Sequence, residues 1–158
     1  MKAVKTLLLS GFGLITACTQ QVAIEPRPAC DFTPMLIAAP VAEAVLVPPI
    51  PGTMSAMPLN TVSITDVGIT NKVLVQAVRA RRTQAGTLEV WSRLVNCTDY
   101  ALQVEGRTQF LDHAQAPVES PSAWQRVYLP PRTVGTYNEK STESEAARTY
   151  LIEIREGT

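Results

Sequence analysis

Regular alternation of apolar and polar side chains between residues 60 and 158 is the feature that most restricts the fold. In "TLEVWSRLV" (87–95), every second residue from Leu88 to Leu94 shares one face, and the residues between them share the other. This period of two is the signature of a β-strand. Similar segments recur about every ten residues between turn residues: "NTVSIT", "NKVLVQAVRARRT", "YALQVEGRTQFLD", "WQRVYLPP", "RTVGTY" and "RTYLIEIR". We therefore predict an all-β domain, an antiparallel β-sandwich, over residues 60–158.

Three details of this domain are less regular. Tyr100 falls in phase with Leu102 and the later apolar residues of "YALQVEGRTQFLD", whereas Gly106 in the same phase predicts a bulge or a close approach of backbone. Residues 112–122 form a polar, proline-containing loop. Residues 138–147 are polar, and "ESEAAR" (143–148) is the only helical candidate.

Residues 18–59 have a different composition, with eight prolines between 19 and 58. Proline stops a continuous helix and removes donors from a strand, so we interpret this stretch as an extended tether. The apolar run "MLIAAPVAEAVLV" within it is interrupted by Pro40 and Glu43, which argues against a membrane span. An alternative is that part of this run packs on the domain as an edge strand or contacts a partner.

The first 17 residues have the layout of a secretory signal peptide. Lys2 and Lys5 give a positive start, and an apolar run too short to cross a bilayer follows. Ile15, Thr16 and Ala17 then precede Cys18, an order that resembles the lipobox of bacterial lipoproteins. We expect cleavage before Cys18 and acylation, including palmitate, of that cysteine, and two or three acyl chains anchor a protein durably. The alternative is an ordinary secreted protein. Thr19, rather than Asp, favours sorting to the outer membrane by analogy with Gram-negative lipoproteins.

Two further cysteines, Cys30 and Cys97, remain if Cys18 carries lipid. An exported compartment permits disulfides. Either the two pair, which would tie the tail to the domain, or both are unpaired thiols.

The sequence offers no reaction chemistry. Removal of residues 1–17 leaves 12 Lys and Arg against 14 Asp and Glu, which does not fit a nucleic-acid-binding protein. His113 is the only histidine, and we interpret it as an exposed loop residue. Glu143 and Glu145 are interpreted as solvated surface. We find no metal-ligand spacing, phosphate loop or nucleophile elbow, and therefore expect no enzyme, metal or cofactor.

Five residues are candidates for an interaction surface: Arg79, Arg81, Arg82, Trp91 and Trp124. Arg79 and Arg81 alternate and so project from one face of a strand. They fit contact with anionic groups, but we favour the interpretation that the arginines protect a sheet edge from aggregation. For both tryptophans we favour packing in or beside the core.

The order of segments in "VWSRLVNCTDYALQVEGRTQFLDHAQAPV", Trp124, "VYLPPRTVGTY" and "STESEAARTYLIEIR" resembles the YcfL-type family of small Gram-negative lipoproteins. The resemblance covers about residues 60–158 and implies an immunoglobulin-like or transthyretin-like sandwich of unassigned function. It supplies no catalytic residues. Leu111-Asp112-His113 departs from the family, where an aromatic residue, Asp and Gly are more usual.

From these features we expect a non-enzymatic lipoprotein in the outer membrane, facing the periplasm. It would scaffold or regulate envelope machinery through contact with envelope proteins not yet identified. Two alternatives stay open. One is an accessory lipoprotein of a secretion or conjugation apparatus, and the other is a module that binds peptidoglycan or a small ligand.

Overall fold

The computed structural model describes residues 28, 30–33 and 59–158. Within them the chain forms seven strands and one 3₁₀ helix, Val67–Ile69. The strands are β1 Thr61–Ile64, β2 Val73–Arg82, β3 Thr87–Asn96, β4 Leu102–Leu111, β5 Gln125–Leu129, β6 Val134–Ser144 and β7 Thr149–Glu156. The predicted signal peptide, Cys18 and most of the predicted tether, including the apolar run, lie outside the described residues.

The strands make two sheets that pack face to face. The four-stranded sheet has the order β1-β7-β4-β5, and the three-stranded sheet has the order β2-β3-β6. All neighbours are antiparallel except β1 and β7, which run parallel. The predicted all-β sandwich is confirmed, with this one parallel pair added to it.

The core lies between the sheets and consists of the alternating faces expected from the sequence. Leu88, Val90 and Leu94 of β3 are buried against residues of the opposite sheet. That sheet contributes apolar side chains from β4, β5 and β7: Leu102, Val104, Phe110, Leu129, Tyr150, Ile152 and Ile154. Full burial of one such side chain contributes about 1.5–3 kcal/mol, so this layer dominates the stability of the domain.

Gly106 marks a close approach of the two sheets. A Cβ atom added there would lie 2.5 Å from Cδ2 of Tyr137, which projects inward from β6. Register with β7 continues through Gly106 without a shift, and register with β5 is regular up to Gly106, where that pairing ends. Of the two interpretations of this glycine, the structure therefore supports close approach rather than a bulge.

The helical candidate at residues 143–148 does not form a helix. Strand β6 continues to Ser144 and pairs with β3 as far as Thr87, so β3 supplies the backbone hydrogen bonds that a helix would have made internally. Ser141 is buried within this polar stretch. A turn follows, with Glu145 at a positive φ of 63°. The placement of Tyr100 on the apolar face of β4 is also wrong, since Tyr100 lies before β4 and is 53% exposed.

Candidate functional site

The turn after β3 is built around the side chain of Asn96, which is fully buried. Its amide nitrogen Nδ2 lies 2.7 Å from the carbonyl oxygen of Tyr100 and 3.0 Å from those of Leu129 and Pro130. Its Oδ1 accepts hydrogen bonds from the backbone N–H and the hydroxyl of Thr98. Asn96 thus joins the β3–β4 turn to the chain that leaves β5 and fixes the position of Cys97.

Cys97 is joined to Cys30 by a disulfide, with 5.8 Å between the two Cα atoms. The backbone N–H of Cys97 also donates to the carbonyl of Lys72 at 2.8 Å. The proximal tail is therefore attached to one end of the sandwich, where β3 ends and β2 and β4 begin.

The tail enters the domain at the opposite end. The N–H of Asn60 donates to the carbonyl of Tyr150 near the start of β7. Strand β1 then runs parallel to β7, whose last residue, Glu156, pairs with Val104 near the start of β4. Cys30 and Leu59 therefore lie at opposite ends of the sandwich.

The outer face of the three-stranded sheet is the first candidate surface, and we call it the basic face. Cross-strand register arranges most of it in three rows. Arg81, Glu89 and Lys140 form the first row, Arg79, Trp91 and Asn138 the second, and Arg93 with Thr136 the third. These rows therefore contain four cationic residues and only one acidic residue, Glu89.

Trp91 lies at the centre of the basic face. The guanidinium of Arg81 is 5.7 Å from the centre of its ring and pairs with Glu89 at 2.6 Å. Beside this pair is an open depression of about 330 Å³, which Thr136 and Asn138 also line. A cation near an indole ring at this distance is attracted to the ring, so Arg81 and Trp91 hold each other in place.

From the sequence, the three arginines of β2 were candidates for a single interaction surface. In the structure they do not form one patch. Arg79 donates to the backbone carbonyl of Val78 in its own strand, at 2.8 Å. Arg82 pairs in register with the buried Leu88 and donates to the carbonyls of Gly86 and Ala147. Strand β2 is an edge strand, where charged side chains oppose the addition of a further strand. Arg79 is hydrogen-bonded to a carbonyl of this strand, whereas the acceptors of Arg82 lie in the β2–β3 and β6–β7 turns.

The outer face of the four-stranded sheet carries a second cluster, centred on Trp124. The guanidinium carbons of Arg155 and Arg107 lie 4.0 and 4.6 Å from the centre of its ring. Arg107 pairs with Glu153 at 2.5 Å. Arg155 also pairs with Glu105 at 2.8 Å, so ring contacts and ion pairs form one continuous network.

Glu105 is the buried centre of that network, with a side chain only 7% exposed. It accepts from Arg155 on β7 and from Arg126 on β5, the latter at 3.1 Å. The two guanidinium groups, Arg155 first, hold the pKa of this carboxyl below its usual value of 4.5. The network links three neighbouring strands across their outer face.

Neither tryptophan packs between the sheets, so of the two expected positions, in the core or beside it, the first does not occur. Each is half-buried on an outer face, and the two faces belong to opposite sheets. The five candidate residues therefore lie on two surfaces and an edge rather than on one site. The outward position of Trp91 could have been predicted from the sequence, because Trp91 shares its phase in β3 with the charged residues Glu89 and Arg93.

The remaining candidates lie outside these clusters. His113 is exposed in the loop after β4, where Asp112 Oδ1 accepts hydrogen bonds from the N–H groups of Ala114 and Ala116. Glu143 and Glu145 are exposed. Across residues 28, 30–33 and 59–158, no group of three His, Cys, Asp or Glu side chains is placed to hold a metal ion. The same residues contain no helix of the length and apolarity that crossing a bilayer requires.

Comparison with known proteins gives structural likeness only. No family model and no curated protein matches the sequence. A Campylobacter jejuni structure, cj0090, is 19% identical with a TM-score of 0.50 and covers 62% of this chain and 99% of its own. A DUF1425 family member from Shewanella sp. pv-4 is 20% identical with a TM-score of 0.48, covering 54% and 79% respectively. The likeness to cj0090 agrees with the sandwich fold.

Proposed function

We propose that this chain is a non-enzymatic lipoprotein of the YcfL type, anchored through Cys18 in the outer membrane with its domain in the periplasm. Its task is to hold or regulate an envelope protein by direct contact. The leader, the lipobox residues and the order of the domain segments support the assignment. The sandwich fold agrees with it.

The observation that carries the proposal is the attachment of Cys30 to Cys97. Cys30 follows Cys18 by only 12 residues, and such a segment spans at most about 40 Å when extended. A lipid on Cys18 would therefore keep the Cys97 end of the sandwich close to the membrane. Leu59, at the opposite end of the sandwich, follows Cys18 by 41 residues and sets a much weaker limit on the distance to the membrane. A disulfide also suits an exported compartment.

Contact with a protein is the function that the described surface supports. Both outer faces present arginines around a tryptophan, a composition enriched at the centres of protein interfaces. His113, Glu143 and Glu145 are each exposed to solvent.

Metabolic labelling with an azide-bearing fatty acid tests the anchor. We expect the wild-type protein to take up label and to fractionate with the outer membrane, and Cys18→Ala to do neither. The matched control is Cys30→Ala with Cys97→Ala, which removes two cysteines and should keep the label. An unlabelled wild type, or label that persists in Cys18→Ala, would contradict the proposal.

A module that binds peptidoglycan or a small ligand is the second candidate. The observation in its favour is the depression beside Trp91, where an aromatic ring adjoins polar side chains. Sedimentation with purified sacculi tests the peptidoglycan version. Co-sedimentation that is lost in Trp91→Ala would favour it over protein contact.

A further inference from the structure

We propose that the basic face binds an extended, acidic segment of the partner protein. The inference rests on the proposed function and names the chemistry of the partner. Its basis is the arrangement of charge, hydrogen-bonding groups and aromatic surface on β2, β3 and β6.

Uncompensated positive charge is concentrated on this face. Arg81 and Glu89 neutralise each other, whereas Arg93 and Lys140 are exposed and form no ion pair within the described residues. On the opposite face, Arg107, Arg126 and Arg155 are each paired with Glu105 or Glu153. The electrostatic attraction for a negatively charged ligand is therefore stronger on the basic face than on the outer face of the other sheet.

The spacing of the rows suits a polypeptide. Successive rows are two residues apart along each strand, or about 6.8 Å. Alternate side chains of an extended peptide repeat at the same distance. Lys140 and Arg93 lie two rows apart, so carboxylates four positions apart on one side of such a peptide can face both of them. Asn138 in the row between them and Thr136 beside Arg93 offer hydrogen-bonding groups for the peptide backbone.

The ligand should lie across the face rather than extend the sheet. On the edge strand β2, Arg79 is hydrogen-bonded to the carbonyl of Val78, and charged side chains on an edge strand oppose the addition of a further strand. The depression of about 330 Å³ beside Trp91 is instead open from the face and gives room for one side chain of the ligand.

The face is poorly suited to insertion into lipid. The exposed large hydrophobic residues of the described chain are Val67, Tyr100, Tyr128 and Val134, and none belongs to the three rows. Trp91, the one aromatic ring in those rows, has Arg81 over it. Val134 lies one row beyond Thr136 on the same side of β6, but the three rows themselves carry no exposed large hydrophobic side chain and favour a soluble anionic segment over a bilayer.

The test uses the full lipoprotein purified in detergent and a fluorescent peptide, Glu-Thr-Glu-Thr-Glu-Thr-Glu, followed by anisotropy. We expect saturable binding that weakens between about 10 and 150 mM salt, since the screening length falls from about 30 to 8 Å. Arg93→Glu and Lys140→Glu each replace an attraction by a repulsion and should weaken binding about tenfold. Arg148→Glu makes the same charge change at an exposed arginine in the β6–β7 turn and should change binding less than about twofold.

Three results would overturn the inference. One is no binding of the peptide. Another is binding that Arg93→Glu and Arg148→Glu weaken equally. The third is Arg93-dependent binding to vesicles of anionic phospholipid or to polygalacturonate without binding to the peptide. Fatty-acid labelling is measured independently, so failure of this inference can be distinguished from failure of the proposed function.

Discussion

The ring of Tyr137 packs directly on the backbone of Gly106, so that residues of the two sheets meet without a side chain between them. The hydroxyl of Tyr137 reaches the hydroxyl of Thr108 at 2.9 Å, and both residues are buried. Burial raises the pKa of Tyr137, in keeping with a neutral phenol between the sheets.

Gly106→Ala should therefore destabilise the domain. The added methyl would lie 2.5 Å from Cδ2 of Tyr137, and overpacking of this kind costs about 1–3 kcal/mol of unfolding free energy. Urea denaturation measures the change. Gly68→Ala is the control, because the nearest atoms there are 3.1 Å or more away and belong to side chains. Equal stability of Gly106→Ala and wild type would show that the sheets can separate at no cost.

The disulfide should contribute strongly to stability. It closes a loop with a sequence separation of 67 residues, for which the loss of chain entropy in the unfolded state corresponds to about 4 kcal/mol. Cys30→Ala with Cys97→Ala should lower the unfolding free energy by about that amount. Chemical denaturation of the double variant, compared with wild type under non-reducing conditions, measures it. A loss below about 1 kcal/mol would mean that the bridge adds little to the fold.

Glu105 should make the domain sensitive to acid. Because its folded-state pKa is lowered, its stabilising contribution is present above the unfolded value near 4.5 and is lost as pH falls through the folded one. The melting temperature of wild type should therefore fall between about pH 5 and 3 more steeply than that of Glu105→Gln. Glu143→Gln, at an exposed site on β6, should follow wild type. Parallel curves for wild type and Glu105→Gln would contradict the role assigned to Arg155 and Arg126.

Ser92 should be dispensable for stability. Its hydroxyl is buried with no hydrogen-bond partner among the described residues, and an unsatisfied buried group costs about 1–3 kcal/mol. We expect Ser92→Ala to leave the unfolding free energy unchanged or to raise it by about 1 kcal/mol. Ser141→Ala is the matched control, because Ser141 is also buried but accepts from the N–H of Glu143, and it should lose about 1 kcal/mol. A marked loss in Ser92→Ala would reveal a partner for its hydroxyl.

The alternating pattern predicted the strands with one strongly apolar face. For β3, Leu88, Val90 and Leu94 must be buried together, and only a period of two allows it. The second half of β6 was not predicted to be a strand. Its inward positions near Ser141 are polar, and its outward residues, such as Lys140, are polar as well, so no alternation of apolar and polar residues marks it. There the strand is maintained by pairing with β3, a long-range interaction that local sequence does not encode.

The candidate surface could be predicted only in part. The alternation of Arg79 and Arg81 correctly placed both on one face of a strand. That Trp91 and Trp124 lie on different sheets depends on topology, and the network around Glu105 joins residues up to 50 positions apart. Such contacts follow from which strands become neighbours, and the spacing of residues along the chain carries no signal for them.

Mass spectrometry of the amino-terminal peptide, from protein purified out of the membrane fraction, tests the central claim most directly. We predict a peptide that begins at Cys18 and carries the added mass of two or three acyl chains. A peptide that begins elsewhere, or an unmodified Cys18 in protein recovered from the soluble fraction, would contradict the anchor.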